Sequence, residues 1–391
     1  MNDFESILQQ TLEYSRERDY IGWDKHDGMS SRIRRCLPFE QKYTNLLFQE
    51  TIKRAPINLR SLLLVEKRPN PKGLSLFSMA NLNAFTLFEQ DEYLTEARTL
   101  WDRIVSHDIA SVDGFCLPHA HELQGLSEKN PTGIPNIVST SFGVKALLRA
   151  SEINERYAKQ ARKSADFVHS ELLYDDSQDG LRISYTPGDS PNSYTLNANA
   201  LAARLFVDLH DYFANDEFQE SAEKILDYVR NQQHETGGWE YKDPPSASHL
   251  GVDNYHNGFI IESFLRYQEV INADAFAETV DDALKFYRTV LYDEDGAPSW
   301  DEESTYPRDV HAAAQGVVTF THAGDFELAR RIIDWTIENL YAGDGQFYYQ
   351  KRRWYTKRFT LMRWCQAWMA YAISEHLRCA ENDYHPFAQS S

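Results

Sequence analysis

The sequence lacks the features that mark several common classes of protein. Its four cysteines, Cys36, Cys116, Cys365 and Cys379, lie far apart and form no CxxC pair. This spacing favours reduced thiols over a disulfide framework or a zinc cluster. No apolar run approaches the roughly 18 residues of a membrane span, and the polar N-terminus carries no secretion signal pattern. These absences predict a cytoplasmic protein without a transmembrane segment.

Basic side chains are also in short supply. The 391 residues include 40 Lys and Arg against 59 Asp and Glu, which gives a formal net charge of −19. Such an excess of acid disfavours binding to nucleic acids or to anionic membranes, because both attract basic surfaces. The sequence contains no P-loop, GxGxxG fingerprint or GxSxG elbow, so nucleotide, dinucleotide and serine-hydrolase functions lack support. We therefore expect no cofactor and no nucleic-acid partner.

Aromatic residues are plentiful, and part of this surplus belongs to a repeat. Five segments share an Asp-Gly or Gly-Gly turn followed by aromatic or apolar residues, and they are spaced 66, 58, 58 and 49 residues apart. Such dipeptides favour positive φ and tight turns. The segments are 113–115, 179–181, 237–239, 295–297 and 344–347.

Two helix-patterned stretches lie upstream of each turn, a less polar one and then a more charged one. This alternation predicts an inner and an outer ring of helices. With the N-terminal segment as a further hairpin, the sequence predicts an all-α, single-domain (α/α)₆ toroid over residues 1–391, with its core at about 20–378; an open α-solenoid is the alternative. The predicted inner helices are 138–149, 198–209, 258–267, 312–320 and 364–373, and the outer helices begin at Asp91, Glu155, Asp216, Asp274 and Asp325.

Polar side chains just before the inner helices are expected to meet at one end of the ring. Amides, carboxylates, imidazoles and indoles together are typical of a sugar-binding cleft, although Ser and Asn at these places are also good helix caps. The predicted substrate-binding residues are Trp23, Asp24, His26, Ser139, Ser141, Asn197, Asn199, Asn254, His256, Tyr306, His311, Gln315, Arg363, Trp364 and Gln366.

Two carboxylates in this set would suit glycosidic-bond chemistry, one as general acid and one as base or nucleophile. We predict Asp253 and Asp309 as this pair and Asp27 as a third catalytic candidate. A separation of about 5–5.5 Å would indicate a retaining enzyme, and about 6.5–9.5 Å an inverting one. His119 and His121 have no evident third ligand, so no metal site is predicted.

Four motifs resemble one known family. They are 135–142 (PNIVSTSF), 253–259 (DNYHNGF), 306–315 (YPRDVHAAAQ) and 362–369 (MRWCQAWM). Together they are similar to the six-hairpin glycosidase-like family that includes the archaeal N-glycosylation protein AglQ and relatives from bacterial polysaccharide clusters. The resemblance covers roughly residues 24–377. It implies a toroid related to unsaturated glucuronyl hydrolases and a hydrolase-like role in building or trimming a surface glycan that contains a uronic acid.

Two other functions remain open at this stage. In a sugar epimerase or isomerase, His256 and His311 would exchange a proton at a carbon centre. In a non-catalytic protein, the same cleft would bind a glycan within a glycosyltransferase complex. In every case the expected partner is a saccharide or glycan precursor, with a transient association with glycosyltransferases as a further prediction.

Overall fold

A computed structural model describes residues 3–36, 41–125, 129–177, 180–190 and 192–381. In chain order its α-helices are α1 (Asp3–Arg16), α2 (Arg32–Cys36), α3 (Lys42–Arg54), α4 (Pro71–Phe88), α5 (Asp91–Ser106), α6 (Ile137–Ala150), α7 (Arg156–Arg162), α8 (Ser164–Phe167), α9 (Leu196–Phe213), α10 (Asp216–Asn231), α11 (Asn254–Val270), α12 (Ala277–Val290), α13 (Val310–His322), α14 (Phe326–Leu340) and α15 (Trp368–Glu381). The short strands are β1 (Leu123–Gln124), β2 (Lys129–Asn130), β3 (Leu173–Ser177), β4 (Gly180–Ile183), β5 (Tyr194–Thr195), β6 (Lys242–Asp243), β7 (Arg308–Asp309), β8 (Gln350–Lys351) and β9 (Thr356–Lys357).

The long helices of the described chain form two concentric rings. The inner ring consists of α4, α6, α9, α11, α13 and α15, and the outer ring of α1, α5, α7 with α8, α10, α12 and α14. Each inner helix packs against two inner neighbours, and α4 contacts both α15 and α6. The ring is therefore closed, which confirms the (α/α)₆ toroid and excludes the open solenoid.

The composition of each helix explains its ring. In α9 every residue from Leu196 to Leu209 is buried, and four alanines let the neighbouring backbones approach closely. In α10 the buried residues recur at helical spacing, with Phe218, Ala222 and Val229 on one face. A helix that is apolar all round must lie in the interior, whereas an amphipathic helix covers it.

The sixth hairpin joins the two ends of the described chain. Helix α15 supplies its inner member and α1 its outer member, with the rings of Phe4 and His376 centred 6.3 Å apart. The stretch between α1 and α4, which contains α2 and α3, is an excursion over one end of the ring. The N-terminal segment thus contributes the inner helix α4 and the outer helix α1, but these belong to two different hairpins, with α5 and with α15, rather than to the single hairpin that the sequence predicted.

The repeated glycine turns let each hairpin pack closely against the outer helix of the next one. Gly114, Gly180, Gly237, Gly296 and Gly345 all have positive φ. A Cβ on Gly237 would lie 2.4 Å from the carbonyl oxygen of Asp282 in α12, and the other four would meet backbone of an outer helix in the same way. Only glycine fits such a contact without moving the helix. Asp179, the first residue of the second turn, lies outside the described residues.

Helix bounds depart from the prediction mainly at the functional end. Helix α11 begins at Asn254 and α13 at Val310, earlier than predicted, because Asp253 and Asp309 cap them. The last inner helix begins with a π-helical segment, Met362–Ala367, before α15. All four cysteines are free, and across the described ranges none of the helices combines the length and apolarity needed to cross a membrane.

Candidate functional site

A cavity of about 760 Å³ lies at the end of the ring where the inner helices begin. Each inner helix, or the turn that leads into it, contributes a side chain to the wall. Those from the six helix starts include Lys72, Ser139, Asn197, His256, His311 and Arg363. Of the predicted site residues, the lining set comprises Asp24, His26, Ser139, Asn197, Asp253, His256, His311, Arg363 and Trp364.

Helix capping places several of these groups. The side chain of Asp253 accepts a hydrogen bond from the backbone N–H of His256 at 3.1 Å, and Asn136 accepts one from Ser139 at 2.8 Å. Such caps satisfy backbone donors that the first turn of a helix leaves free. Asp253 therefore both caps α11 and lines the cavity, whereas Ser139, which the sequence offered as a cap, donates its backbone N–H to the cap Asn136.

A carboxylate–imidazole pair faces the cavity. Oδ2 of Asp253 lies 2.6 Å from Nδ1 of His256, while Oδ1 of the same carboxylate accepts from the His256 backbone. A carboxylate beside Nδ1 favours the tautomer with its proton there, which leaves Nε2 as a proton acceptor. The imidazole of His256 is thus held in one orientation by the carboxylate of Asp253.

His311 is held among aromatic rings on the same wall. Its imidazole stacks on Tyr255 with centroids 4.6 Å apart, and the rings of Trp364 and Trp368 lie 4.3 and 4.4 Å away. Neither ring nitrogen has a hydrogen-bond partner among the described residues, although both are buried. Burial, aided by the nearby Lys72, holds the pKa of His311 well below its ordinary value. The imidazole is neutral and is able to donate one hydrogen bond to a ligand.

Asp24 and Arg363 form a buried ion pair at the wall. Nε of Arg363 donates to Oδ2 of Asp24 at 2.7 Å, and Asn70 donates to the same oxygen at 2.9 Å. Burial alone would raise the pKa of Asp24, but Arg363 outweighs it and holds that pKa well below its usual range. Asp24 therefore stays ionised and cannot serve as a general acid near neutral pH.

Asp309 does not line the cavity. Its carboxylate is fully buried and accepts from Nε2 of Gln350 at 2.6 Å, from Nε1 of Trp364 at 2.8 Å and from the backbone of His311. From behind the wall these bonds position Trp364 and Gln350, both of which line the cavity. The carboxylate predicted as one half of a catalytic pair lies behind its neighbours rather than at the cavity surface.

Asp27 is also remote from the cavity surface. Nε of Arg60 lies 2.9 Å from both carboxylate oxygens, and Nη2 of Arg60 donates to the backbone oxygen of Asp24. Burial raises the pKa of Asp27 to about 6, although Arg60 opposes this shift. The pair fixes the loop that carries Asp24 and Lys25.

The Asp27–Arg60 pair gives a stability prediction. Arg60→Met leaves a carboxylate buried without its partner, so we expect the free energy of unfolding to fall by about 3–5 kcal/mol. Urea denaturation monitored by tryptophan fluorescence measures this change. The double variant with Asp27→Asn removes the unpaired charge and should recover part of the loss; equal stability of the single variant and the wild type would contradict the prediction.

The remaining predicted residues face away from the cavity. Asn199 bonds to both backbone groups of Ile183, and Gln366 accepts from the backbone of Phe347. Asn257, which the sequence did not single out, holds the backbone of Trp239 in the same way. These amides secure the segments that follow the glycine turns. The predicted residues outside the lining, apart from Asp27 and Asp309, are Trp23, Ser141, Asn199, Asn254, Tyr306, Gln315 and Gln366.

Sequence reasoning missed two buried lysines. Lys25 and Lys72 line the cavity at 4% and 6% exposure. Burial lowers the pKa of Lys25 to about 7 and that of Lys72 well below its ordinary value. Lys25 lies between the predicted residues Asp24 and His26, and this position was the available signal. The aromatic lining that was also missed comprises Tyr185, Tyr241, Tyr255, Phe259, Trp300, Tyr349 and Tyr355.

The two histidines considered for metal binding also reach the cavity. His119 stacks on Tyr185 with centroids 5.7 Å apart, and Nδ1 of His121 lies 2.9 Å from Oγ of Ser30. Over the ranges that the structure describes, no group of three or more His, Cys, Asp or Glu side chains is arranged to hold a metal ion.

A double ring of helices around a polar and aromatic cavity is the architecture of the (α/α)₆ toroid enzymes. The chain superposes on cellobiose 2-epimerase from Bacillus thermoamylovorans with a TM-score of 0.67 and 11% identity, over 97% of this chain and 99% of that one. It superposes on an unsaturated glucuronyl hydrolase specific for heparin with a TM-score of 0.63 and 12% identity, over 97% of both chains. It superposes on an α-mannanase of glycoside hydrolase family 76 from Bacteroides thetaiotaomicron with a TM-score of 0.58 and 15% identity, over 80% of this chain and 87% of that one.

No protein-family model and no curated protein matches the sequence. The six-hairpin part of the predicted resemblance is confirmed by the fold, whereas membership of the group that includes AglQ stays a prediction. At these identities the superpositions establish the fold, and the chemistry has to be argued from the site.

Proposed function

We propose that this chain is a carbohydrate-active enzyme that transfers a proton at a sugar carbon next to a carbonyl group, as sugar isomerases and epimerases do. The Asp253–His256 pair carries the proposal, because it presents an oriented imidazole to a cavity lined with aromatic rings. Aromatic faces bind the apolar faces of sugars, and polar groups at the wall satisfy their hydroxyls.

The mechanism assigns different roles to the two histidines. Nε2 of His256 removes the proton from the carbon, and Asp253 stabilises the imidazolium that forms. The electron pair of the broken C–H bond moves onto the carbonyl oxygen and gives an enediolate. His311, held neutral by burial, donates a hydrogen bond to that oxygen, as a neutral imidazole can when its pKa is lowered. In isomerisation His256 returns the proton to the former carbonyl carbon, while the hydroxyl proton on the first carbon moves to the former carbonyl oxygen and a new carbonyl forms at the first carbon. In epimerisation the enediolate turns over against His256, and the proton returns to the opposite face of the same carbon.

Incubation of the protein with reducing sugars in D₂O tests the reaction. Each turnover exposes the abstracted proton to solvent, so the recovered sugar should gain one mass unit, and NMR should place the deuterium on a carbon next to the carbonyl. Absence of deuterium from every sugar that the folded protein binds would reject the proposal.

Glycoside hydrolysis is the second candidate, and one observation favours it. The backbones of Asp253 and Asp301 pair in an isolated bridge, and both residues line the cavity. These two carboxylates, rather than Asp253 and Asp309, would then provide the general acid and the base. Hydrolysis releases new reducing ends without placing deuterium on carbon, so the same incubation with oligosaccharides distinguishes the two reactions.

Three finer predictions have different origins. The surface-glycan pathway rests on the sequence resemblance, an association with glycosyltransferases on the non-catalytic alternative, and a cytoplasmic location on the sequence itself. A purely glycan-binding protein would bind saccharide in calorimetry and show neither deuterium exchange nor hydrolysis.

A further inference from the structure

The cavity wall is positively charged although the chain is strongly acidic. Among the described residues, six cationic side chains line it, namely Lys25, Lys53, Arg54, Lys72, Arg352 and Arg363. The carboxylates there are those of Asp24, Asp253 and Asp301, whereas the whole chain carries −19. This local reversal of charge favours an anionic ligand.

Three of the six cations already have carboxylate partners. Lys53 and Arg54 both pair with Glu50, at 3.3 and 2.8 Å, and Arg363 pairs with Asp24. Lys25, Lys72 and Arg352 form no ion pair with any described residue. The site therefore holds cationic groups whose counterion is missing from the protein itself.

We infer that Lys25, together with Arg352, binds an anionic group of the sugar, either a uronic acid carboxylate or a phosphate ester. The cavity would thereby select an acidic sugar over its neutral counterpart. The inference rests on the proposed function in one respect, since it places the sugar against His256.

Aromatic rings direct the Lys25 ammonium into the cavity. Its Nζ lies 3.7 Å from the ring centroid of Trp364, 5.3 Å from that of Tyr255 and 5.4 Å from that of Trp300. Contacts of this kind hold a cation by its attraction to the ring faces. They satisfy no hydrogen-bond donor, so the donors of the ammonium remain available for a carboxylate or phosphate oxygen.

Arg352 and Lys72 differ in their fitness for this role. Arg352 lies in the turn between β8 and β9, where one nitrogen donates to Gln350 at 3.3 Å and Nε is buried without a partner. A guanidinium stays charged and suits the geometry of an oxyanion. Lys72 is confined between the rings of Phe142 and Phe259, and burial holds its pKa well below its ordinary value. Lys72 is therefore less suited than Arg352 to anchor an anion.

Calorimetry with matched ligands and variants tests the inference. Glucuronate, galacturonate and glucose 6-phosphate are compared with glucose and galactose at pH 6 on the wild type, Lys25→Met and Lys67→Met. Lys67 is the control, because its Nζ lies 4.7 Å from the ring centroid of Trp23 outside the cavity lining.

We expect the wild type to bind at least one anionic sugar at least about tenfold more tightly than the neutral sugars, and Lys25→Met to lose that preference, since a charge-assisted hydrogen bond is worth at least this factor. Lys67→Met should retain it. Preference for the uronates identifies a carboxylate as the bound group, and preference for glucose 6-phosphate identifies a phosphate. Equal binding of anionic and neutral sugars by the wild type, or an unchanged preference in Lys25→Met, overturns the inference.

A pH series adds a measurement that would not change if Lys25 had only a structural role. The charged groups facing Lys25 are Asp253, Asp309, Lys53 and Arg363. Burial lowers the pKa of Lys25 to about 7, so the free protein carries the cation below that pH and loses it above. Anion affinity should fall by up to about tenfold per pH unit above 7. In Lys25→Arg the cation persists, and the affinity should stay level.

Failure of this inference is distinguishable from failure of the proposed function, because binding requires no turnover. Deuterium exchange into neutral sugars without any preference for anions would reject the role of Lys25 and retain the proposed reaction. Binding of anions that depends on Lys25, without exchange into any sugar, would do the opposite.

Discussion

Replacement of His256 with Gln is expected to lower the rate of deuterium incorporation into sugar by about 10³-fold, within the range attributed to a general base. Gln is close in size and can still donate a hydrogen bond to Asp253, so the start of α11 should keep its shape. It has no nitrogen that accepts a proton at neutral pH. The rate should therefore fall because the chemistry is lost, while binding of the sugar is largely kept.

Companion variants separate the base from the group that orients it. Asp253→Asn should lower the rate of deuterium incorporation less than His256→Gln does, because the imidazole remains but loses the carboxylate that stabilises its cation. His169→Gln is the control, since His169 is an exposed histidine outside the cavity lining. Exchange at the wild-type rate in folded His256→Gln protein would contradict the assignment of the base.

Gly237→Ala is expected to lower the free energy of unfolding by about 2–5 kcal/mol, which combines backbone strain with overpacking. The residue has a φ of +101°, and the new Cβ would lie 2.4 Å from the carbonyl oxygen of Asp282. Because that oxygen belongs to the backbone of α12, the clash cannot be relieved by a side-chain rotation. The outer helix has to move away from the turn.

Gly324→Ala provides the matched control. Gly324 also has positive φ, at +78°, but a Cβ there would meet no atom within 4 Å. It should lose only the conformational term, about 1 kcal/mol. Urea unfolding of both variants measures the difference. An equal loss of unfolding free energy in the two variants would show that the close contact between Gly237 and α12 contributes nothing to stability.

The sequence predicted the fold well because the repeat is local. A few consecutive residues determine each of its parts: the turns with Gly at positive φ, the apolar inner helices and the amphipathic outer helices. The predicted outer-helix starts at Asp91 and Asp216 coincide with the observed ones. The pairing of α15 with α1 was harder to predict, because α1 lies at the opposite end of the sequence.

The site was only partly predictable, because adjacent polar residues at a helix start face different ways. Asn197 lines the cavity while Asn199 holds the backbone of Ile183. Trp364 lines the cavity while Gln366 holds Phe347. Composition does not distinguish these neighbours, whereas the 100° rotation between successive residues of a helix does. The sequence therefore yielded a set about twice as large as the cavity uses.

The carboxylates show the same difficulty at long range. The carboxylate of Asp27 is held away from the cavity by its ion pair with Arg60, which lies 33 residues away in the sequence. That of Asp309 is held away by a hydrogen bond from Trp364, which lies 55 residues away. Neither partner is evident from the local sequence. Lys25 was missed for a different reason: lysine is almost always at the surface, and only the closed ring shows that this one is inside.

The hairpin formed by α15 and α1 also sets an order of assembly during biosynthesis. Of the described elements α1 is made first, yet α15, which covers it, is made last. Until then the apolar face of α1, with Phe4, Ile7, Leu8 and Leu12, lacks its main neighbour. Domains generally fold from the N-terminus during synthesis, but this ring closes only after its final helix has emerged. While the described elements between them are being made, α1 therefore exposes apolar side chains that α15 later covers.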